Sequence, residues 1–388
     1  MYDVIIVGAG PSGATLARTL PAHLKVLLID RRNLVDESST NGRVKVCGGL
    51  IAPAAQKMLA HMGLGLPQHV LVTPQVFAVR AIDCGCGTER FYQRYYMNVD
   101  REKLDKFLVS LCENMVEIRN NSTITSFIDR GDSVEIGGVA DGIRFKERCR
   151  ILFGADGANS LVRRHLVDGG IKKTRKYLAI QESFEVDNAA PLYTVLFDSD
   201  ITDYYSWAIP KSDMLLVGSA VRPGKDAMRT HQKTIDWLKK YGFTLNRSLR
   251  RNSAYVERPR RHKDVCGGYG RTLLIGEAAG LISPSSAEGF SYAFLSALMA
   301  ANTFCEELEV WTHRYRREVA SLRLNIALKN LKSKVIYSPG IRKILMKSGL
   351  SAMTVRKTNT AILHLRFPAN PTATIGKSND PKKPVVPV

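Results

Sequence analysis

The chain has 388 residues, of which 45% are hydrophobic, so it can hold one large globular domain or two ordinary ones. No apolar run reaches the roughly 18 residues that a membrane-spanning helix needs. Seven cysteines, an odd number, accompany an N-terminal segment without signal-like basic residues, so we expect reduced thiols and a cytoplasmic protein. Cys84 and Cys86 have no second pair at zinc-like spacing, and we predict no metal site.

The formal net charge is +20, and most of the excess lies at the C-terminal end. Residues 311–388 contain sixteen lysines and arginines against two acids, Glu318 and Asp380. Such a surface attracts anionic lipid or nucleic acid. Because no nucleic-acid-binding motif accompanies it, we expect no nucleic acid and favour a membrane surface or an acidic protein as partner. The alternative is a solvated basic face without a partner.

The first thirty residues predict a dinucleotide-binding unit. A buried strand, MYDVIIV, runs into the turn GAGPSG, then into a helix and a second strand that ends at Asp30. Gly8 permits the tight turn, Gly10 lets the backbone approach a pyrophosphate, and Gly13 lets the helix pack on the strand. The helix start, with Ser12, would bind the phosphates, and Asp30 would accept hydrogen bonds from an adenosine ribose. A carboxylate there suits FAD or NAD better than NADP.

The next short motif is KVCGG at residues 45–49, in which Gly48 and Gly49 would let the backbone approach a large, flat group. A long apolar stretch at 70–83 and a moderately alternating stretch at 91–99 predict strands. Asp100 then has the features of an N-cap for a helix that begins at Arg101.

Two later stretches repeat the pattern of an apolar strand followed by glycine, an acid and a turn of small residues. They are ILFGADGANSLVR at 151–163 and LLIGEAAGLISPSSAEGF at 273–290, and their candidate site residues are Asp156, Gly157, Glu277, Gly280, Gly289 and Phe290. Between them, Tyr205 and Trp207 share one face of a predicted strand. With Pro284 they would wall a substrate pocket, although sheet core is an equal alternative for the two aromatics.

Together the opening and these two stretches resemble the three FAD fingerprints of the p-hydroxybenzoate hydroxylase-like flavoproteins, which implies FAD as cofactor. The KVCGG motif, YQRYYMNVDR and YSWAIP resemble the geranylgeranyl reductase family, and over residues 1–350 the chain is most similar to its CbrA-type members. The resemblance implies that Cys47 lies beside the flavin ring system and that Arg101 lies near the FAD. Cys47 and Lys45 are the catalytic candidates, and Glu277 stands where the family has aspartate.

The predicted fold is α/β, with a Rossmann-like FAD-binding domain, an inserted and mostly antiparallel sheet that covers the substrate, and C-terminal helices. The domain boundaries predicted from the sequence are 1–69, 98–175 and 265–305 for the FAD-binding domain, 70–97 and 176–264 for the covering sheet, 306–366 for the basic helices and 367–388 for a disordered tail.

Three functions remain open at this point. In the first, reduced FAD transfers a hydride to a prenyl C=C bond of an isoprenoid lipid, as the resemblance to geranylgeranyl reductases implies. In the second, the protein is a flavin-dependent monooxygenase of a small molecule or a protein side chain. In the third, it is a flavin-bearing binding protein without turnover. No second G-x-G-x-x-G motif marks a stable NAD(P)H site, so the expected electron donor is either NAD(P)H in transient contact or a ferredoxin-like carrier.

Overall fold

The structure, a computed structural model, describes residues 1–35, 45–112, 116–168, 174–187 and 189–353. Residues 1–353 form one compact unit. No helix in these ranges is long and apolar enough to cross a membrane.

The described residues form sixteen strands. In chain order these are β1 (Tyr2–Val7), β2 (Val26–Ile29), β3 (Leu50–Ile51), β4 (Val76–Asp83), β5 (Thr88–Asn98), β6 (Val116–Arg119), β7 (Ser122–Asp129), β8 (Val134–Ala140), β9 (Ile143–Gly154), β10 (Lys176–Glu185), β11 (Leu192–Phe197), β12 (Ser206–Lys211), β13 (Met214–Val221), β14 (Ser248–Glu257), β15 (Gly268–Tyr269) and β16 (Thr272–Leu274).

The same ranges contain eight α-helices. They are α1 (Pro11–Thr19), α2 (Pro53–His61), α3 (Arg101–Ser110), α4 (Leu161–Asp168), α5 (Ala227–Lys240), α6 (Phe290–Asn302), α7 (Leu308–Tyr337) and α8 (Pro339–Ser348).

The first sheet has the strand order β15-β16-β9-β1-β2-β6. Its centre is parallel, because Val4 of β1 pairs with Val26 of β2 on one side and with Ile151 of β9 on the other. Strands β7 and β8 extend it as an antiparallel hairpin on β9. The central strands are buried on both faces, and α1 and α6 contribute to the same core. This is the Rossmann-like half of the predicted α/β fold.

The second sheet has the strand order β14-β10-β13-β12-β11-β4-β5-β3. Its pairs are antiparallel except for β11 and β4, which run parallel. This sheet is the predicted covering sheet, and the fold class is confirmed. One predicted boundary differs from the structure: β3 lies within segment 1–69 but pairs with β5 of the second sheet. A strand of two residues carries no alternation that a sequence pattern could reveal.

The C-terminal helices are anchored to both sheets. In α7, Trp311 donates its indole N–H to the Ala300 carbonyl at 2.8 Å, and the Tyr315 hydroxyl donates to the Leu274 carbonyl at 2.7 Å. In α8, Arg342 forms a buried ion pair of 2.7 Å with Asp83 of β4. The predicted helical segment continues to residue 366, but residues 354–366 and the predicted tail at 367–388 lie outside the described residues.

Candidate functional site

The turn between β1 and α1 is built by glycines that leave no room for a side chain. Gly8 has a φ of +104°, and its N–H donates to the Ile29 carbonyl of β2 at 2.7 Å. A β-carbon at Gly13 would lie 1.8 Å from the Gly8 carbonyl oxygen, so glycine alone lets α1 approach β1 this closely. Gly10 precedes α1 as its N-cap. The first amides of the helix are therefore available to an anion, as the sequence predicts.

The second stretch lies directly beside this turn. A β-carbon at Gly8 would lie 2.6 Å from the Ala155 carbonyl oxygen. In the next residue, Asp156, Oδ2 accepts a hydrogen bond from the Leu161 amide at 2.7 Å, whereas Oδ1 is buried without a partner among the described residues. Burial raises the pKa of Asp156. A buried acceptor without a partner, next to a glycine-lined turn, fits a hydroxyl or another donor group of a bound ligand.

The third stretch lies against the start of α1. A β-carbon at Gly276 would lie 2.7 Å from Ser12 Oγ, and the turn that begins at Gly276 ends at Gly280 with a φ of +74°. Within this turn, Glu277 Oε1 accepts a hydrogen bond from the Glu257 amide at 3.0 Å. The three glycine-rich stretches, which are far apart in sequence, thus meet at one end of the first sheet.

Lys45 lies where the second and third stretches meet. A β-carbon at Gly157 would lie 3.5 Å from Lys45 Nζ and 3.9 Å from Glu277 Oε2. The two predicted catalytic residues therefore have different neighbours, because Lys45 reaches Gly157 and Cys47 reaches Arg101.

A chain of ion pairs leads from Asp30 through Arg32 and Asp105 to Arg101, which contacts Cys47. Arg32 lies 3.0 Å from Asp30 and 2.7 Å from Asp105, and Arg101 lies 2.9 Å from Asp105. Arg101 Nη1 is 3.8 Å from Cys47 Sγ. Burial alone would raise the pKa of Asp30, but the Arg32 guanidinium lowers it below its ordinary value. Arg32 is not among the predicted site residues, and a ribose bound at Asp30 would share this carboxylate with it.

Lys211, at the end of β12, is buried against the turn that contains Gly48 and Gly49. Its Nζ donates to Asn98 Oδ1 at 2.5 Å, to the Val99 carbonyl at 2.8 Å and to the Gly49 carbonyl at 3.4 Å. A β-carbon at Gly49 would lie 2.7 Å from this ammonium. Burial lowers the pKa of Lys211 to about 8. Lys211 therefore fixes the glycine turn to the second sheet.

One face of β12 extends along this site. Tyr205 just before the strand, then Trp207, Ile209 and Lys211, alternate with residues of the other face. A β-carbon at Gly48 would lie 2.6 Å from Ile209 Cδ1, so this face covers the glycine turn directly. The Trp207 indole nitrogen is buried without a hydrogen-bond partner in the described part of the chain. Side chains alternate between the two faces of a strand, so Lys211 lies on the same face as Tyr205 and Trp207. Lys211 is not among the residues predicted from the sequence.

The start of α6 lies beside Arg101. The Arg101 guanidinium lies 4.9 Å from the centre of the Phe290 ring. Gly289 is the N-cap of α6, and Glu288 accepts a hydrogen bond from the Ser291 amide at 2.7 Å. Phe290 therefore lies beside Arg101, which contacts Cys47, and the predicted contact of Gly289 and Phe290 with the flavin stays a prediction.

Pro284 is buried in the loop before α6 and faces the C-terminal region. Its carbonyl accepts hydrogen bonds from Arg258 Nε and from Ser333 Oγ of α7, both at 3.2 Å. The Arg258 guanidinium lies 4.2 Å from the ring centre of Tyr204 and 4.6 Å from that of Tyr337. Pro284 is thus hydrogen-bonded to Ser333 of α7 and to Arg258, which is not among the residues predicted from the sequence.

The site fits FAD on two observations of this structure. The first is the glycine turn, where a β-carbon would clash with backbone, and the second is the buried Asp156 Oδ1 without a partner. The residues predicted to hold the cofactor stay a prediction, to which the structure adds Arg32 beside the ribose position, and Lys211 would hold the glycine turn in place. When bound, FAD supplies hydride transfer, which none of the twenty side chains provides. The fold and the site define an FAD-dependent oxidoreductase.

Comparisons with known proteins agree with this class. Residues 1–240 match the family described as FAD binding domain, and the chain belongs to that family. Protein CbrA of Escherichia coli O6:H1 is 37% identical over 350 residues, which cover 90% of this chain and 94% of that protein. The predicted similarity to CbrA-type proteins is therefore confirmed.

Two solved structures share the fold. A geranylgeranyl bacteriochlorophyll reductase-like protein from Thermoplasma acidophilum has a TM-score of 0.71 and 19% identity, covering 93% of this chain and 94% of that chain. A p-nitrophenol 4-monooxygenase from Pseudomonas putida has a TM-score of 0.61 and 17% identity, covering 92% of this chain and 99% of that chain. FAD as cofactor is thus supported by the family and by the fold.

Glu257, at the end of β14, predicts a pH dependence of stability. Its carboxyl is 1% exposed, and Oε2 has no partner among the described residues. Burial raises the pKa of Glu257 from 4.5 to about 8. The folded state therefore keeps a proton that the unfolded chain releases, and the free energy of unfolding falls as the pH rises through this window.

We expect Glu257→Gln to remove most of the pH-dependent fall in the free energy of unfolding, because glutamine stays neutral at every pH. Each unit of pKa shift corresponds to about 1.4 kcal/mol, so the effect is on the order of a few kcal/mol. Thermal unfolding of the FAD-loaded protein at both ends of the window measures it. Glu185→Gln, an exposed glutamate with a side chain 51% accessible, serves as control. Equal pH dependence in the wild type and in Glu257→Gln would contradict the assignment.

Proposed function

We propose that the protein reduces isolated prenyl C=C bonds of an isoprenoid lipid. The observation that carries the proposal is the face of β12 above the glycine turn. Tyr205 and Trp207 lie with ring centres 5.5 Å apart, and Ile209 packs on Gly48. Tyr205 and Trp207 are only 6% and 8% exposed and belong to a buried core cluster, so the sheet-core alternative holds for most of their surface. In this proposal their remaining apolar edge would line the chain of a bound lipid.

The residues around this face of β12 would exclude water and hold the reacting bond in place. Tyr96 and Tyr193 add a second aromatic pair, with ring centres 5.6 Å apart. The amides of Gly289 and Phe290 at the start of α6 would stabilise negative charge on the reduced cofactor. Cys47, with its thiol beside Arg101, is the candidate for tuning the protonation that accompanies hydride transfer.

The electron donor in this proposal is NAD(P)H in transient contact or a ferredoxin-like carrier on the basic surface. Because prenyl lipids reside in membranes, the proposal also includes a peripheral position at the inner face of the cell membrane. The relatives support the substrate class only through their fold, since the reductase-like structure is 19% identical.

A monooxygenase is the second candidate. It is favoured by the similarity of fold to a p-nitrophenol 4-monooxygenase over 92% of the chain. The two candidates differ in their product: the reductase adds two hydrogen atoms to each double bond, whereas the monooxygenase adds one oxygen atom. Mass spectrometry of geranylgeranyl lipids after incubation with the chemically reduced protein distinguishes them. An unchanged lipid, or a lipid that gains an oxygen atom only after air is admitted, would overturn the reductase proposal.

Cys47→Ala tests the residue beside the glycine turn. We expect the variant to keep FAD, because the backbone of Gly48 and Gly49 is unchanged, and to oxidise its reduced flavin with substrate at least roughly tenfold more slowly. Stopped-flow absorbance under argon measures this rate. Cys86→Ala, a partly buried cysteine in a turn of the second sheet, is the control. Loss of FAD from Cys47→Ala would show that the thiol is structural.

A further inference from the structure

Helix α7 has two apolar faces. One is buried against the protein through Val319, Leu322 and Ile326. On another side, Leu324, Leu328 and Leu331 are 68%, 60% and 62% exposed. Their spacing of four and three residues places them along one line of the helix. A line of three large apolar side chains in water is typical of a surface that is covered by a partner.

The charges around this line all have one sign. Residues 319–353 contain seven lysines and arginines and no acid. Three of the seven are engaged internally, because Arg342 pairs with Asp83, Lys329 lies over the Tyr292 ring and Arg323 donates to the Val265 carbonyl at 3.3 Å. The other four are exposed, namely Lys332, Lys334, Lys343 and Lys347. In α8, Ile341 and Ile344 are also exposed, at 46% and 70%.

A basic pocket adjoins the leucine line. It is an open groove of about 580 Å³ between residues 260–263 and α7, where Leu331 and Lys334 line it. Arg260 and Arg261 are paired with carboxylates, at 2.8 Å and 3.1 Å respectively. Lys263 and Lys334 have no carboxylate partner among the described residues. Since Leu331 belongs to both features, an anion in the pocket would lie at the edge of the apolar line.

We propose that this surface, made of Leu324, Leu328 and Leu331 with Lys263 and Lys334, docks on an anionic lipid bilayer. The pocket would take lipid phosphate groups, and the leucines would enter the boundary between headgroups and acyl chains. Binding would be peripheral, since no helix in the described ranges is long and apolar enough to span a membrane.

The alternatives fit the surface less well. A second copy of the chain would bring two positive faces together, because no acid lies in 319–353 to compensate the cations. A nucleic acid would neutralise the lysines but leave the leucines in water. An anionic bilayer would neutralise the lysines and would also remove the three leucines from water. The inference rests on the proposed function in one respect, the peripheral membrane position, but its surface does not involve the prenyl substrate. Loss of vesicle binding with lipid reduction intact would therefore reject the docking surface alone.

The test is co-sedimentation of the FAD-loaded protein with phosphatidylcholine vesicles, with and without phosphatidylglycerol, at low and high salt. We expect binding that needs phosphatidylglycerol and weakens with salt. Lys263→Gln/Lys334→Gln should lower affinity by roughly tenfold or more, since each cation near an anionic surface contributes about fivefold. Leu324→Gln/Leu328→Gln should weaken binding at both salt concentrations.

The matched controls carry the same chemical changes elsewhere. Lys233→Gln/Lys239→Gln removes two exposed charges from α5, and Ile128→Gln/Ile143→Gln removes two exposed apolar side chains from β7 and β9. These should bind like the wild type. Equal loss in controls and test variants would overturn the proposal, as would a dimer that dissociates in Leu324→Gln/Leu328→Gln. Equally tight binding of soluble glycerol phosphate would reassign the pocket to a free anion.

Discussion

Replacing Gly13 by alanine is expected to yield protein that no longer retains FAD. The added β-carbon would lie 1.8 Å from the Gly8 carbonyl oxygen. Because this neighbour is backbone, no side-chain rotation relieves the overlap, and α1 must move away from β1. Overpacking of this kind costs about 1–3 kcal/mol or more. Since about 1.4 kcal/mol is a tenfold change in affinity, FAD binding should weaken by roughly tenfold to a hundredfold.

The ratio of flavin to protein absorbance after gel filtration measures this loss, and circular dichroism reports whether the fold remains. Gly65→Ala is the matched control, because a β-carbon at Gly65 would meet nothing within 4 Å. That variant should retain FAD like the wild type. If Gly13→Ala bound FAD with unchanged affinity, the glycine turn would not be the phosphate site.

Replacing Lys211 by methionine is expected to give the second largest effect. Methionine fills a similar volume but donates no hydrogen bond, which leaves Asn98 Oδ1 and the Val99 carbonyl without their donor, whereas the Gly49 carbonyl keeps the Val99 amide at 2.9 Å. Each such buried acceptor costs about 1–3 kcal/mol. We therefore expect the glycine turn beside Cys47 to shift, and the rate of substrate-dependent flavin oxidation to fall by roughly a hundredfold.

Lys211 acts through the turn, so its variant should keep FAD but change the visible flavin spectrum, which reports the surroundings of the ring system. Lys211→Arg should not restore the rate, since a β-carbon at Gly49 would already lie 2.7 Å from Nζ and a larger group has no space. Lys239→Met on the exposed face of α5 is the control. A normal rate and spectrum in Lys211→Met would remove Lys211 from the site.

The parts of the fold that the sequence predicts are those with strong local patterns. The apolar runs of β1, β9 and β16 each lead into a glycine turn, so the sequence shows each of the three stretches separately. The α/β class and the FAD site follow from them. The predicted helix that begins at Arg101 is observed as α3, because Asp100 caps it by accepting hydrogen bonds from the Glu102 and Lys103 amides.

The sequence analysis misses the residues whose role depends on contacts with residues far away in the sequence. Lys211 is identified by its bond to Val99, which is 112 residues away, and Arg258 by its bond to Ser333, which is 75 residues away. No local pattern marks either contact. The two faces of α7 show the same limit, since Leu322 is buried and Leu324 is exposed although both are leucines in one helix.

The measurement that tests the proposed reductase most directly is made without oxygen. The yellow protein is reduced with dithionite under argon, geranylgeranyl lipids are added, and the flavin absorbance is followed. We predict that the oxidised flavin spectrum returns as the lipid double bonds accept the hydride. If the flavin stays reduced until air is admitted, and oxygen then appears in a product, the protein is a monooxygenase and the central proposal is wrong.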